Sequence, residues 1–157
     1  MTEKPHHDPD PIHYEASTYR MDESIGLLLS RLKSAFVAAL DQELQGLDLT
    51  APQWVTLMRI ANHCGGTATD LCRDFPYDSG SMTRMLDRLE EKGFIHRERS
   101  TEDRRVVQIR LTEQGEALLP QLREKGAAMH NRHLKGFTRE EVAQLKSLLR
   151  RMLANAG

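Results

Sequence analysis

Arg84 and Arg88 stand about one helical turn apart, Arg104 and Arg105 are adjacent, and the same stretch of this 157-residue chain carries Ser79, Ser81, Thr83, Arg97, Arg99 and Asp103. Guanidinium forks and hydroxyls at such spacing suit hydrogen bonds to phosphate oxygens and base edges rather than bond-breaking chemistry. The chain holds no glycine-rich phosphate loop, no G-x-S-x-G and no H-E-x-x-H, which are the marks of nucleotide transfer, serine hydrolysis and zinc proteolysis. The residues read as a nucleic-acid interface, and no enzyme is expected.

The elements that would position them can be read from periodicity. Met82, Met85, Leu86 and Leu89 fall at i, i+3, i+4 and i+7, which predicts an amphipathic helix. Ser81, Arg84, Asp87, Arg88 and Glu91 lie off that stripe. Asp78 or Ser79 can cap its start, and Gly93 suits the left-handed position past its end. Such a helix is common on protein surfaces and says little alone. The residues after it are more specific. Phe94 to Arg99 and Val106 to Leu111 read as two strands, with Val107, Ile109 and Leu111 on one face and Val106, Gln108 and Arg110 on the other. Between them, Ser100 to Arg105 is too charged to be core. Two adjacent guanidiniums at a hairpin tip suit phosphates or a narrow minor groove. Asp103, two residues before Arg105, is placed to hold that side chain extended. Upstream, Thr67 and Asp70 form a helix-start signal for a short helix Ala68 to Asp74, and Pro76 breaks the chain before the next. Two short helices and a hairpin in this order predict a winged helix-turn-helix. Its second helix enters a major groove and its wing reaches the groove beside it.

Three segments, LDLTAPQWVTL (Leu47 to Leu57), SMTRMLDRLEEKGFIHR (Ser81 to Arg97) and DRRVVQIRLTEQG (Asp103 to Gly115), resemble the MarR family of bacterial transcriptional regulators, and the resemblance spans roughly Asp22 to Leu153. It implies a mainly α fold with a small β-hairpin wing, in which the first helix and the last two build a dimerisation domain. It implies that Ser81, Thr83 and Arg84 are recognition-helix contacts, and that Asp103 and Arg105 form the wing-tip pair with Arg105 in the minor groove. Gly80 departs from the family, whose members often carry Ser or Thr there, and removes one potential side-chain contact. Members often bind small aromatic acids between the dimerisation helices and the DNA-binding lobe. Here that implies Ser24, Leu28 and Arg31 from the first helix and Trp54 and Met58 from the next, with Trp54 as a flat apolar wall and Arg31 pairing a carboxylate. A plain core role for Trp54 and a salt-bridge role for Arg31 stand beside these readings.

Four parts follow along the chain. Residues 1–20 form a His- and Pro-rich leader. Residues 21–46 hold the first dimerisation helix, predicted from Asp22 to Leu44 with Ile25, Leu28, Leu29, Leu32, Phe36 and Leu40 along one side. Residues 47–111 form the DNA-binding lobe, whose first helix opens with a Thr50/Gln53 capping box. Residues 112–157 hold two more helices. The first carries Pro120, which should bend it at Glu116. The second opens with a Thr138/Glu141 capping box and carries Val142, Leu145, Leu148, Leu149, Met152 and Leu153. The terminal helices carry more apolar surface than a lone helical layer can hide. The economical arrangement packs first and last helices together and against a second copy. A homodimer would then present two recognition helices about 34–36 Å apart to a pseudo-palindromic site on double-stranded DNA.

Composition sets bounds. The net charge is −1, and even Arg73 to Arg110 carries nine Lys/Arg against eight Asp/Glu, so the case for DNA rests on where the arginines sit and not on bulk charge. No apolar run approaches the roughly 18 residues of a membrane span, and no signal peptide opens the chain, which predicts a cytoplasmic protein away from membranes. Cys64 and Cys72 lie eight apart without a C-x-x-C pattern and, with His63 nearby, read as packing thiols. His6, His7 and His13 lie in the leader, and His130 and His133 read as a solvated pair. No metal or cofactor is implied. Beside a homodimeric repressor released by a small aromatic acid stand two other readings. One is a winged-helix protein–protein interaction module, which the charged wing tip disfavours. The other is a thiol-based redox-sensing regulator.

Overall fold

A computed structural model describes residues 11–63, 66–73, 78–101 and 103–156. Six helices and two strands occur in the order α1 (Ile25–Glu43), α2 (Ala51–Asn62), α3 (Ala68–Arg73), α4 (Ser79–Glu91), β1 (Ile95–Arg99), β2 (Val107–Leu111), α5 (Glu113–His133) and α6 (Arg139–Asn155). Among the described residues the fold is mainly helical with one hairpin, as the resemblance implies. The predicted break at Pro76 lies outside the described residues.

Two compact units divide the chain, residues 1–35 and 36–157. In the first, α1 begins three residues later than its apolar period suggests. A turn of 3-10 helix occupies Met21–Glu23, and Ser24 sits between the two in an extended conformation. The reason is capping. The Ser24 hydroxyl donates to the Met21 carbonyl at 2.8 Å and accepts from the Leu27 amide at 3.3 Å, while the Tyr14 hydroxyl accepts from the Ile25 amide at 3.0 Å. The Ile25 and Leu27 amides, which would otherwise lack partners at a helix entry, are satisfied, which favours starting the α-helix there.

In the second unit the core gathers Leu40 of α1 and Leu44 just after it, Leu57 and Ile60 of α2, Leu71 of α3, Met82, Leu86 and Leu89 of α4, Ile95 and Ile109 of the hairpin, and Leu122 and Met129 of α5. Local signals set most element starts. Thr50 and Gln53 exchange hydrogen bonds across the first turn of α2, and Thr138 and Glu141 do the same for α6. Thr67 and Asp70 close the start of α3, with the Asp70 carboxylate accepting from both the Thr67 amide and hydroxyl. Those two bonds hold the Asp70 pKa below the usual carboxylate range, the amide bond contributing most. The helix of α5 continues through Pro120.

The wing is an antiparallel pair in which Ile95 faces Leu111 and Arg99 faces Val107. One residue extends it: the Gly66 carbonyl accepts from the Ile109 amide at 2.8 Å, a bridge that ties the loop before α3 to the middle of β2. α6 differs from every other helix longer than one turn and a half. It buries none of its residues.

Candidate nucleic-acid interface

α4 is amphipathic in three dimensions as in sequence. Met82, Leu86 and Leu89 are fully buried, and each is worth about 1.5–3 kcal/mol to the fold. Met85 is half-buried, and its sulfur accepts from the Thr56 hydroxyl at 2.9 Å. This anchoring leaves Ser79, Thr83, Arg84, Asp87 and Arg88 exposed on the other side. A shallow hollow of about 260 Å³ runs beside them, lined by Thr50, Pro52, Gln53, Ser81, Arg84, Met85 and Arg88.

The start of the helix carries its own hydrogen-bond chain. Asp78 caps it, accepting from the Ser81 amide at 2.8 Å and from the Ser81 hydroxyl at 2.7 Å. The Ser81 hydroxyl in turn accepts from the Arg84 guanidinium at 3.2 Å. The hydroxyl bond first, then the amide bond, holds the Asp78 carboxyl below its ordinary pKa. Gly80 leaves room for this arrangement, since a Cβ there would lie 3.1 Å from the Asp78 carboxylate. Thr83 turns its hydroxyl to the Ser79 carbonyl at 2.8 Å. At the far end Gly93 adopts φ +75°. The Gly93 amide donates to the Glu90 carbonyl and the Phe94 amide to the Leu89 carbonyl, closing the helix and turning the chain into β1.

The wing tip is exposed from Thr101 through Arg105 in its described residues, as is Arg99. Asp103 acts on the backbone. Its carboxylate accepts from the Arg105 amide at 2.9 Å, and its carbonyl accepts from the Val106 amide at 2.9 Å. The aspartate thus shapes the turn that presents Arg104 and Arg105, where sequence spacing alone suggests that it holds the Arg105 side chain.

Arg97 is placed differently from the other arginines of the set. It reaches from β1 to α4, with its guanidinium 2.7 Å from Asp87 and bonded also to Glu90, while its amide donates to the other Glu90 oxygen at 3.0 Å. Partial burial works against the charge, and the bonds from Asp87 and Glu90 more than offset it, leaving the Arg97 pKa above its ordinary value. Periodicity offers no sign of this contact.

A family model for the MarR family matches residues 49–107. The crystal structure of wild-type MarR from E. coli is 34% identical, with a TM-score of 0.72, covering 83% of this chain and 97% of that one. The chain belongs to the MarR family. A mutant MarR from E. coli complexed with operator DNA is also 34% identical, with a TM-score of 0.73, covering 82% of this chain and 92% of that one. BpsR from Bordetella bronchiseptica, whose DNA binding is regulated by 6-hydroxynicotinic acid, is 25% identical with a TM-score of 0.75, covering 85% of this chain and 96% of that one. This MarR-family chain is a winged-helix, DNA-binding transcription regulator.

The residues suggested for a ligand fall in different settings. Trp54 packs on Gly126 of α5 and donates its indole N–H to the Leu122 carbonyl at 2.8 Å. Met58 is partly buried against the core. Ser24 is buried with its hydroxyl used in the α1 cap, and Leu28 and Arg31 are exposed. Cys72 is half-buried against the core, and Cys64 lies outside the described residues. Among the described residues no three His, Cys, Asp or Glu side chains gather as metal ligands, and no helix is long and apolar enough to cross a membrane.

Proposed function

We propose that the protein is a homodimeric, cytoplasmic repressor that binds a pseudo-palindromic operator and leaves it when a small aromatic acid binds. The observation that carries the DNA half is the juxtaposition of two exposed basic elements in one compact unit: Arg84 and Arg88 on the outer face of α4, and Arg104 and Arg105 at the tip of the adjoining hairpin. A recognition helix in the major groove with a wing in the neighbouring minor groove uses both. Ser79, Ser81, Thr83, Arg84 and Arg88 serve the first contact, and Arg99, Asp103, Arg104 and Arg105 the second. The complex of the E. coli relative with operator DNA supports this reading.

Dimerisation is supported by the unburied apolar face of α6, on which Leu145, Leu148, Met152 and Leu153 are 37%, 45%, 42% and 72% exposed in the single chain. Ile25, Leu28, Leu29 and Leu32 of α1 are likewise exposed. Both faces are wider than a lone monomer leaves in water. In this reading residues 21–46 and 112–157 form the dimer base and residues 47–111 the DNA-binding lobe.

An aromatic acid as effector is supported by the BpsR relative, regulated by such a compound. The proposed lining is Ser24, Leu28, Arg31, Trp54 and Met58. A ligand there releases DNA only by binding one spacing of the two recognition helices better than another.

The test is selection of genomic fragments by the purified protein, then competition of a panel of aromatic carboxylates against the bound fragment. Arg84→Ala abolishes specific selection while the dimer persists by light scattering. Retention of the same sequence preference in Arg84→Ala overturns the assignment of α4.

A further inference from the structure

Three residues, Lys92 to Phe94, link the recognition helix to the wing. So short a turn limits the distance between α4 and β1, but it leaves the angle between them to side chains. Among the described residues, Arg97 spans them with charged hydrogen bonds, beside the apolar contacts of Leu86, Leu89 and Ile95. Its guanidinium donates one bond to Asp87 and one to Glu90, and the remaining Glu90 oxygen accepts from the Arg97 amide. Two carboxylates on successive turns of α4 are therefore fixed to a single point on β1. The Arg97 side chain is 28% exposed, against 50% for Asp87 and 39% for Glu90.

Asp87 is exposed beside Arg84, on the flank of the outer face of α4, so the clamp grips the edge of the face proposed to meet DNA. A planar guanidinium bonded to two carboxylates resists rotation about either bond, which a lysine ammonium does not. We propose that Arg97 is a positioning residue: through Asp87 and Glu90 it sets the angle of the wing against the recognition helix, so that Arg84 and Arg105 reach neighbouring grooves together, without itself touching DNA. The proposal rests on the reading that helix and wing both meet DNA. It assigns to Arg97 a role other than the direct contact its basic neighbours suggest.

Two other roles predict different results. A phosphate contact by Arg97 would act independently of Arg105 and would lower the salt dependence of binding when removed. Simple neutralisation of Asp87 and Glu90 would make removal of those carboxylates strengthen binding. Positioning makes it weaken binding, because the clamp is lost.

The experiment is a double-mutant cycle on the full chain, measured by fluorescence anisotropy with a selected DNA fragment. Arg97→Ala is expected to weaken binding about tenfold in the wild-type background and by less than about twofold in Arg105→Ala, a coupling within the range for residues acting as a unit. The salt slope of Arg97→Ala relative to wild type stays unchanged beyond the contribution lost with the wing, as Arg105→Ala alone shows. The double substitution Asp87→Asn with Glu90→Gln weakens binding in the same wing-dependent way, and it carries the cycle if Arg97→Ala does not fold. Arg97→Lys falls between. Additive losses for Arg97→Ala and Arg105→Ala, no loss in Arg97→Ala, or tighter binding after removal of the two carboxylates each overturn the clamp while leaving DNA binding by the wing intact. No loss in Arg105→Ala itself overturns the wing reading, and the clamp falls with it.

Discussion

Gly126 lies directly beneath the indole of Trp54: a Cβ at position 126 would fall 2.5 Å from Trp54 Cζ2. One turn earlier on α5, the Leu122 carbonyl accepts the indole N–H. Glycine inside a helix costs about 1 kcal/mol relative to alanine, and here it buys the close approach of α2 to α5. Gly126→Ala should therefore destabilise the fold by about 1–3 kcal/mol despite the better helix propensity, because the added methyl overpacks the contact. Urea unfolding at unchanged m-value measures it. An unchanged or higher midpoint would show that the two helices have room to separate.

Trp54 is the only tryptophan of the chain, so its emission reports on this contact alone. An aromatic acid that binds beside Trp54 and thereby releases DNA should shift or quench that emission over the same concentration range. Release of DNA with Trp54 emission unmoved would place the effector elsewhere.

At the wing tip, Arg105→Ala should weaken DNA binding by about 1–3 kcal/mol if the side chain occupies a minor groove. Asp103 accepts from the Arg105 amide, so Asp103→Ala should weaken binding less, through the shape of the turn. Asp103→Asn, which keeps an acceptor, should lie close to wild type. An Asp103→Asn loss as large as that of Arg105→Ala would show that the charge, and not the turn, matters.

The unburied face of α6 predicts that fold and dimer stand together. Burying Leu145, Leu148 and Met152 is worth about 1.5–3 kcal/mol each, so a chain truncated after Thr138 should aggregate or unfold. Light scattering and circular dichroism decide the matter, and a well-folded monomer would sink the dimer reading.

The corner between α5 and α6 should respond to pH. Phe36 of α1 stacks edge-on with His130 at 5.3 Å and His133 at 4.8 Å between centroids. Partial burial first, then the nearby His133 and Lys146, pushes the His130 pKa below its ordinary 6.5. Arg139 lines the same hollow as His130 and Lys146. The folded protein favours neutral His130, so the unfolded chain binds more protons near pH 6. That share of stability is present in full above about pH 6.5 and is lost as pH falls through the lower folded value. The melting temperature should drop between about pH 7.5 and 5.5, and His130→Asn should flatten the drop. An identical profile in the variant would remove His130 from the account.

Local interactions made much of this protein readable in its residues. Capping boxes at Thr50 and Thr138, the Asp78 cap and the Gly93 stop each join groups within a few positions of one another, so spacing alone predicts them. The same holds for the apolar stripe of α4, because a helix repeats its faces every few residues. Alternation in Val107 to Leu111 predicted β2, and the charged tip predicted its exposure. The start of α1 was displaced because Ser24 and Tyr14 cap it together, and a partner eleven residues away leaves no periodic trace. Contacts set by packing were decided only in three dimensions. Trp54 meets Leu122 across 68 residues, Gly66 pairs with Ile109, and Arg97, named from the sequence for DNA, links β1 to α4. Periodicity reports which face of an element is apolar. Which opposing element meets that face, and which carboxylate a given arginine finds there, depends on how separate elements pack, and that is a property of the folded chain.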